Sequence, residues 1–475
     1  MLGIRGKPLK VLQSLYNNVK SCVLLNGNIS EFFVNNIGVL QGEIISPLLF
    51  SLYVNDCEKE FLLKGNTPIE LQELSLFLLM YADDMVLLAE SATELQRMLN
   101  ALKIYTEKWS LSVNVGKTKV LVFRNRGSLQ SDDVWFYDNV QIEIVEQFCY
   151  LGLLLNFNGK FHVTQKHLSL QCKKALFALK RKCTNMSLNF TTLLSLFDTY
   201  VGSIANYGCE VWGAHSAPDI EKVHMDFCKN ILGLKSATTN AMIYFELGRL
   251  PLECVRKLRI LKYWLKLLTT KNCILKSCYD HMYEEMSRKQ NCKNWVVHVK
   301  SILKNVGLFN LWLNQYTLKP QYMFAVAKQR IFDNCKQTIL SDINSSSKCR
   351  IYKHLIDHFT LQSYLTKRIP MQYKKLICKL RVSSHCLLIE TGRYKNIPLE
   401  RRVCPLCTLA VEDEFHFFFE CPYYSHLRTK FLKKYYYIRP SVFKLIQLLS
   451  TQNVKELCNL GKFIKESIEL RNTNV

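Results

Sequence analysis

Two short constellations carry residue types and spacings that can do chemistry. Tyr81-Ala82-Asp83-Asp84 sets two carboxylates side by side between two apolar segments, Leu74 to Tyr81 and Met85 to Ala89. That pattern predicts strand, turn and strand, with both acids held at one point by rigid flanks. Adjacent carboxylates suit Mg²⁺, a hard cation that takes carboxylate and phosphate oxygens together, and therefore suit phosphoryl transfer. Aspartate is also an ordinary turn residue, so the pair alone does not separate a metal site from a plain hairpin. The second constellation is Cys404-Pro405-Leu406-Cys407, then His416 after eight residues and Cys421 after four more. Three thiolates and an imidazole match the tetrahedral preference of Zn²⁺, and the Cys-x-x-Cys pair supplies half the sphere from one turn. In a chain with nineteen cysteines such a pair also arises by chance, and the ordered partners at short range are what favour a metal. His426 stands just beyond and reads as a surface histidine. A Walker-type glycine loop is missing, and no Ser/His/Asp arrangement can be told from sequence.

The rest of the chain must position these groups. At 475 residues and 48% apolar composition it is long enough for two or three domains with cores of their own. The longest apolar run, Leu76 to Ala82, is far short of the roughly 20 residues that span a bilayer. Residues Met1 to Lys10 lack the apolar stretch of a signal peptide, so the scattered cysteines are expected to be reduced thiols in a protein of the nucleus or cytoplasm. The net charge of +24 is unevenly spread: residues 1–155 hold 13 Lys and Arg against 17 Asp and Glu, whereas residues 156–475 hold 50 against 22. Such a basic rear portion attracts polyanions by counterion release. Aromatics lie among its cations, in Lys262-Tyr263-Trp264-Leu265-Lys266 and Lys433-Lys434-Tyr435-Tyr436-Tyr437. Nucleic acid is the natural partner, while any single lysine is more often a solvated helix face.

Apolar spacing from Pro8 to Lys20 predicts a helix, and Asn26-Gly27 after Val23-Leu24-Leu25 predicts a hairpin. Ser46-Pro47 opens another helix. Ser91 with Glu94 forms a capping box ahead of a helix whose buried face is Leu95, Met98, Leu99, Leu102, Tyr105 and Trp109. Lys117 to Arg124 and Val140 to Leu155 read as strand. Beyond residue 160 helices are expected near 164–184, 191–206, 219–232 and 251–270, and Asn344-Ser345-Ser346-Ser347-Lys348 is the best linker candidate.

Upstream of the aspartates stands Gly38-Val39-Leu40-Gln41-Gly42-Glu43-Ile44-Ile45-Ser46-Pro47-Leu48-Leu49-Phe50, and downstream Ser112-Val113-Asn114-Val115-Gly116-Lys117-Thr118-Lys119, then Phe148-Cys149-Tyr150-Leu151-Gly152. These blocks, in this order around Tyr81-Ala82-Asp83-Asp84 and within about 115 residues, resemble the reverse transcriptases of non-LTR (LINE-type, jockey-like) retrotransposons. Arg381-Val382-Ser383-Ser384-His385, Glu390 to Tyr394 and Glu412 to His416 resemble the tail that follows such enzymes. The resemblance implies an α+β fold: a partial polymerase palm of antiparallel sheet and helices over residues 1–155, a mainly helical thumb and connection over 156–343, and a C-terminal segment 349–475 with a zinc-finger-like module at 404–421.

It also implies roles. Asp83 and Asp84 would hold Mg²⁺ (or Mn²⁺), Gln41, Gly42 and Tyr81 would line the nucleotide and template pocket, and Lys117 would assist the departing pyrophosphate. Tyr150-Leu151-Gly152 would grip the primer. Cys404, Cys407, His416 and Cys421 would hold Zn²⁺, with Arg401, Arg402, Lys430, Lys433 and Lys434 meeting phosphates. The partners would be an RNA template, a DNA primer or target, and dNTPs. Phe415 to Phe419 is expected to pack over the zinc rather than stack on bases. The sequence departs from the family at one point. The pattern needs a third carboxylate, an Asp on a strand ahead of the Gln-Gly block, yet Glu31 is the only acid between Met1 and Gly42. The chain therefore reads as truncated just beyond that strand and inactive as an RNA-directed DNA polymerase by itself. The alternatives are a non-catalytic nucleic-acid-binding remnant and a decayed element copy.

Overall fold

The computed structural model describes residues 4–35, 37–40, 42–72, 74–125, 127–130 and 133–474. The chain divides into two units, residues 1–148 with 273–281, and residues 149–272 with 282–475.

In the first unit the helix Ala92–Lys108 organises the core. The Ser91 hydroxyl accepts from the Glu94 N–H at 3.2 Å, as a capping box requires. The Glu94 carboxylate turns away and accepts from the Thr67 N–H at 2.7 Å. Met98, Leu99, Leu102 and Tyr105 lie on one face and meet Phe61, Phe77, Leu78, Val120, Trp135 and Ile142.

The strands depart from the expected single antiparallel sheet. Among the described residues of the chain they form seven two-stranded pairs. Val19–Ser21 pairs with Phe33–Asn35 and Leu78–Tyr81 with Asp84–Leu87, both antiparallel. Lys119–Val120 and Glu143–Ile144 run parallel. Strands this short gain stability only where a helix or further strands cover a face. Phe77 and Leu78 have that cover, while Phe33 and Val34 are exposed. The helix Lys7–Tyr16 buries none of its residues, and Leu24, Phe32, Ile37, Ile44 and Leu48 are all more than 60% exposed. This is a large uncovered apolar surface of the kind that marks an interaction site.

The second unit is helical. His162–Cys183, Phe190–Tyr200, Pro218–Leu232 and Leu252–Leu267 fall close to the spans that periodicity predicts. One apolar core runs from Leu168 to Ile464 and takes in Cys404, Phe417 and Cys421. The serine run at 344–348 is not a connector. The helix Pro320–Ser345 runs into it, with Ile339 and Ile343 buried in that core, and Ser346 then caps a short turn by accepting from the Lys348 N–H. No described helix is long and apolar enough to cross a membrane, and all nineteen cysteines are free thiols.

His224 is fully buried in this core between Phe197 and Tyr244. Its Nε2 accepts from Arg249 Nε at 3.0 Å, and Arg249 in turn pairs with Asp198. Burial, aided by the Arg249 and Arg256 guanidiniums, pushes its pKa down to about 3. An unfolded histidine titrates near 6.5, so the stability present above that pH is lost progressively as pH falls towards about 3. At pH 5 the loss is about 2 kcal/mol. Guanidinium unfolding at pH 7 and pH 5 is expected to show a smaller pH slope in His224→Gln than in wild type; equal slopes would refute the buried neutral ring.

Candidate functional site

The Asp83 and Asp84 carboxylates stand at the tip of the hairpin Leu78–Tyr81/Asp84–Leu87, in which Tyr81 is paired with Asp84. Ala82 at the tip has φ +52°, a left-handed conformation that costs energy in a residue with a side chain. Below the tip, Leu78 is anchored in the core, and the Leu88 N–H donates to the Phe77 carbonyl at 2.8 Å. Both aspartates and Tyr81 are exposed. Neither carboxylate has a hydrogen-bond or ion-pair partner among the described residues, so their oxygens are free to take hard cations.

Gly42 has φ +90°, and a Cβ there would meet nothing, so the turn requires the glycine for its backbone rather than for space. Gln41 lies outside the described residues. Glu43, to which sequence reasoning gave no role, is a brace: its carboxylate accepts from the Tyr16 hydroxyl, which also lies 3.2 Å from Ser46 Oγ. That hydrogen bond raises the Tyr16 pKa. The Lys117 N–H closes a turn on the Asn114 carbonyl at 3.0 Å, and its side chain is exposed. Among the described residues no hydrogen bond or ion pair joins Lys117 to the aspartates.

The hairpin tip at 150–152 is held by a turn residue of the second unit. Leu151 and Gly152 have φ +46° and +78°. The Tyr207 hydroxyl donates to the Leu151 carbonyl at 2.7 Å, and a Cβ on Gly152 would lie 3.0 Å from the Tyr207 ring. Tyr207 was missed from sequence, since nothing in its spacing links it to residue 151.

The Cys404, Cys407, His416 and Cys421 donor atoms all lie within 4.8 Å of one another. Cys404 and Cys421 sulfurs are 4.0 Å apart, and Cys407 Sγ is 3.2 Å from His416 Nε2. In a tetrahedral Zn²⁺ site with bonds of about 2.3 Å, sulfurs stand roughly 3.8 Å apart, so the donor set fits that ion. The backbone builds the cluster locally. The Cys404 N–H donates to the Ala410 carbonyl at 2.8 Å, and Val403 bridges Val411. Asp413 accepts from the His416 N–H, which opens a π-helical turn, His416–Glu420. His416 Nδ1 is buried and faces Glu420 at 3.5 Å, the placement of a carboxylate that orients a metal-binding imidazole. The hydrogen bond with Cys421 pulls the Cys404 thiol well below its ordinary value and, with burial, pushes Cys421 up. Burial works against a charged His416, yet Cys404 and Glu420 outweigh it and raise its pKa. His426 is exposed and outside the cluster.

Around this centre the sequence motifs serve as frame. Phe417, Phe418 and Phe419 are buried, and Phe463 packs on the first two, so the aromatic run is core. Arg471 makes a bidentate pair with Glu412, and Glu414 lies between His385 and Arg350. Of the five cations expected to meet phosphates, Arg402 points inward to the Ile389 and Ile397 carbonyls, Lys430 pairs with Glu466 and Lys433 with Glu456. Arg401 and Lys434 are exposed. Trp264, one of the aromatics set among the basic residues, is fully buried against Trp312. The stronger basic surface is the helix His162–Cys183, which carries no acid. Its Lys166, Lys173, Lys174 and Arg181 are exposed at helical spacing, with Phe177 70% and Leu170 56% exposed among them. None of these four cations has an ion-pair partner among the described residues.

Comparison with known proteins adds the family. The model of the reverse transcriptase (RNA-dependent DNA polymerase) family matches residues 5–155. The RNA-directed DNA polymerase from mobile element jockey of Drosophila funebris is 23% identical over 228 residues, which are 46% of this chain and 24% of that protein. Its Drosophila melanogaster counterpart is 24% identical over 214 residues, 42% of this chain and 22% of that protein. An uncharacterised transposon-derived protein of Caenorhabditis elegans is 30% identical over 142 residues, 29% of this chain and 50% of that protein. The chain thus spans about a quarter of the length of the jockey polymerases it matches. With the Tyr81 to Asp84 hairpin inside the matched span, residues 5–155 are a reverse transcriptase domain of the LINE type, that of the non-LTR retrotransposons.

Proposed function

We propose that residues 5–155 are the palm of an RNA-directed DNA polymerase that extends a DNA primer on an RNA template with dNTPs. The observation that carries this reading is the pair of unpartnered carboxylates, Asp83 and Asp84, at a core-anchored hairpin tip within the family match. Mg²⁺ or Mn²⁺ held there would supply positive charge to the phosphate oxygens during nucleotidyl transfer. Asp83 and Asp84 hold that charge in place, Gln41, Gly42 and Tyr81 line the nucleotide and template pocket, and Tyr150-Leu151-Gly152, braced by Tyr207, positions the primer end. Lys117 would assist the departing pyrophosphate. Cys404, Cys407, His416 and Cys421 hold Zn²⁺ in a structural role.

The family pattern needs a third carboxylate, and no aspartate precedes Asp56. A further polypeptide segment would supply it, and the uncovered apolar residues between Leu9 and Leu48 are the surface on which such a segment would pack. The test is primer extension on an RNA template with Mg²⁺ or Mn²⁺, comparing wild type with Asp83→Asn/Asp84→Asn. Synthesis that falls at least about a hundredfold in the variant supports the palm as catalytic. No synthesis by wild type, with binding that weakens steeply with salt, favours the second reading: a nucleic-acid-binding remnant. The unpaired cations of His162–Cys183 favour that reading specifically.

A further inference from the structure

Lys433-Lys434-Tyr435-Tyr436-Tyr437 resolves into side chains with different fates. Lys433 pairs with Glu456, Tyr436 is buried with its hydroxyl donating to Glu456 at 3.1 Å, and Tyr437 packs against the core. Lys434 and Tyr435 turn outward and, with Ile438, Arg439 and Lys444, line an open groove. No carboxylate lines it. Lys434 and Arg439 have no ion-pair or side-chain hydrogen-bond partner among the described residues, while Lys430 and Lys433 are paired with Glu466 and Glu456. Tyr435 is 53% exposed yet fixed: its hydroxyl donates to Gln447 at 2.8 Å, and the Lys444 amine sits 4.7 Å from its ring centre.

The turn that carries Arg439 is strained. Arg439 has φ +52° and precedes Pro440, two conditions that disfavour one another, since a residue before proline is driven to extended backbone. The turn is held by Lys444, whose amine donates to the Ile438 and Arg439 carbonyls at 2.7 and 3.2 Å. Strain that persists under such bracing points to a placed side chain. The short helix Lys434–Tyr437 packs on the turn that carries His416, so the groove is built on the Cys/His centre.

We propose that this groove binds one nucleic-acid strand, a base stacking on Tyr435 and the backbone phosphates meeting Lys434 and Arg439. A held aromatic ring with free cations beside it and no acid is the chemistry of single-strand capture. A duplex, whose bases are already stacked, offers Tyr435 nothing. The site rests on the reading of this chain as a nucleic-acid-binding protein and is independent of whether the palm polymerises.

The test uses the full chain and short single strands carrying 4-thiouridine or 4-thiothymidine, with photocrosslinks mapped by mass spectrometry. Crosslinks are expected in the peptide containing Tyr435, reduced about tenfold in Tyr435→Ala and in Lys434→Glu/Arg439→Glu. Tyr435→Phe, which keeps the ring and the fold, should retain them, and an abasic strand should compete poorly. The ratio of RNA to DNA crosslinks identifies which strand is preferred. Strand binding whose crosslinks all fall outside 434–444, equal competition by the abasic strand, or groove variants that lose only anionic vesicles would overturn the proposal. A chain that binds no strand at all overturns the nucleic-acid reading with it.

Discussion

Chelating the metal from the purified chain, or replacing Cys404 with serine, is expected to lower the thermal midpoint of the second unit and to release Phe417 and Phe418 from protection against hydrogen exchange. Cys404 is 1% exposed and Cys421 0%, so their donor atoms have no water to turn to when the ion leaves. Three sulfurs and an imidazole packed within 4.8 Å must then take up protons or stand as uncompensated buried charge, and the π-helical turn loses the anchor at His416. Zinc that binds only the folded form contributes about 4 kcal/mol when its free concentration is a thousand times the dissociation constant. Metal analysis should find one zinc per chain in wild type and none in Cys404→Ser. Equal metal content, or an unmoved midpoint after chelation, would remove the centre from the account.

Arg381→Met is expected to cost about 3–5 kcal/mol. Glu246 is completely buried and accepts from Arg381 Nε at 2.9 Å, from the Tyr352 hydroxyl at 2.8 Å and from the Tyr364 hydroxyl at 2.6 Å. Arg381 also donates to the Leu449 carbonyl at 2.7 Å, so the pair ties Asn240–Leu247, Met371–Arg381 and Val442–Leu449 together. Removing the guanidinium leaves a buried carboxylate with only neutral donors. The double variant Glu246→Leu/Arg381→Met removes both charges and should recover much of the loss, which denaturant titrations of the two singles and the double would reveal as strong coupling. A single Arg381→Met within about 1 kcal/mol of wild type would show the ion pair to be incidental.

The sequence disclosed what depends on local spacing. The Ser91 cap, the Asn26-Gly27 hairpin, the Asp83-Asp84 turn and the four Cys/His donors all arise within a few tens of residues, where residue type and period limit the geometry. What it hid depends on distant partners. Arg381, His385, Glu390, Glu412 and Glu414 resemble a family tail, but only the fold shows that they form a buried frame: Arg381 meets Glu246, and Glu412 meets Arg471. The resemblance implied cations for phosphate around the finger, yet Lys430, Lys433 and Arg402 are committed within the protein, which no count of lysines reveals. The expected single sheet was overestimated because apolar alternation predicts a strand but not whether a neighbour exists to pair with it. Residues 344–348 looked like a linker by composition, but the helix Pro320–Ser345 with its buried Ile339 and Ile343 reaches into the run.

The placement of Arg471 has a consequence for the Cys/His centre. Glu412, whose carboxylate also accepts from the Leu388 N–H at 2.7 Å, lies directly before the cluster's histidine turn, and its guanidinium partner arrives only with the final turn of Val454–Asn474. The two partners are 59 residues apart in the chain, so the frame behind the histidine turn closes only once that helix has docked. Replacing Arg471 would leave all four metal donors in place but strip the brace behind them, which makes the Cys/His centre depend on the docking of Val454–Asn474.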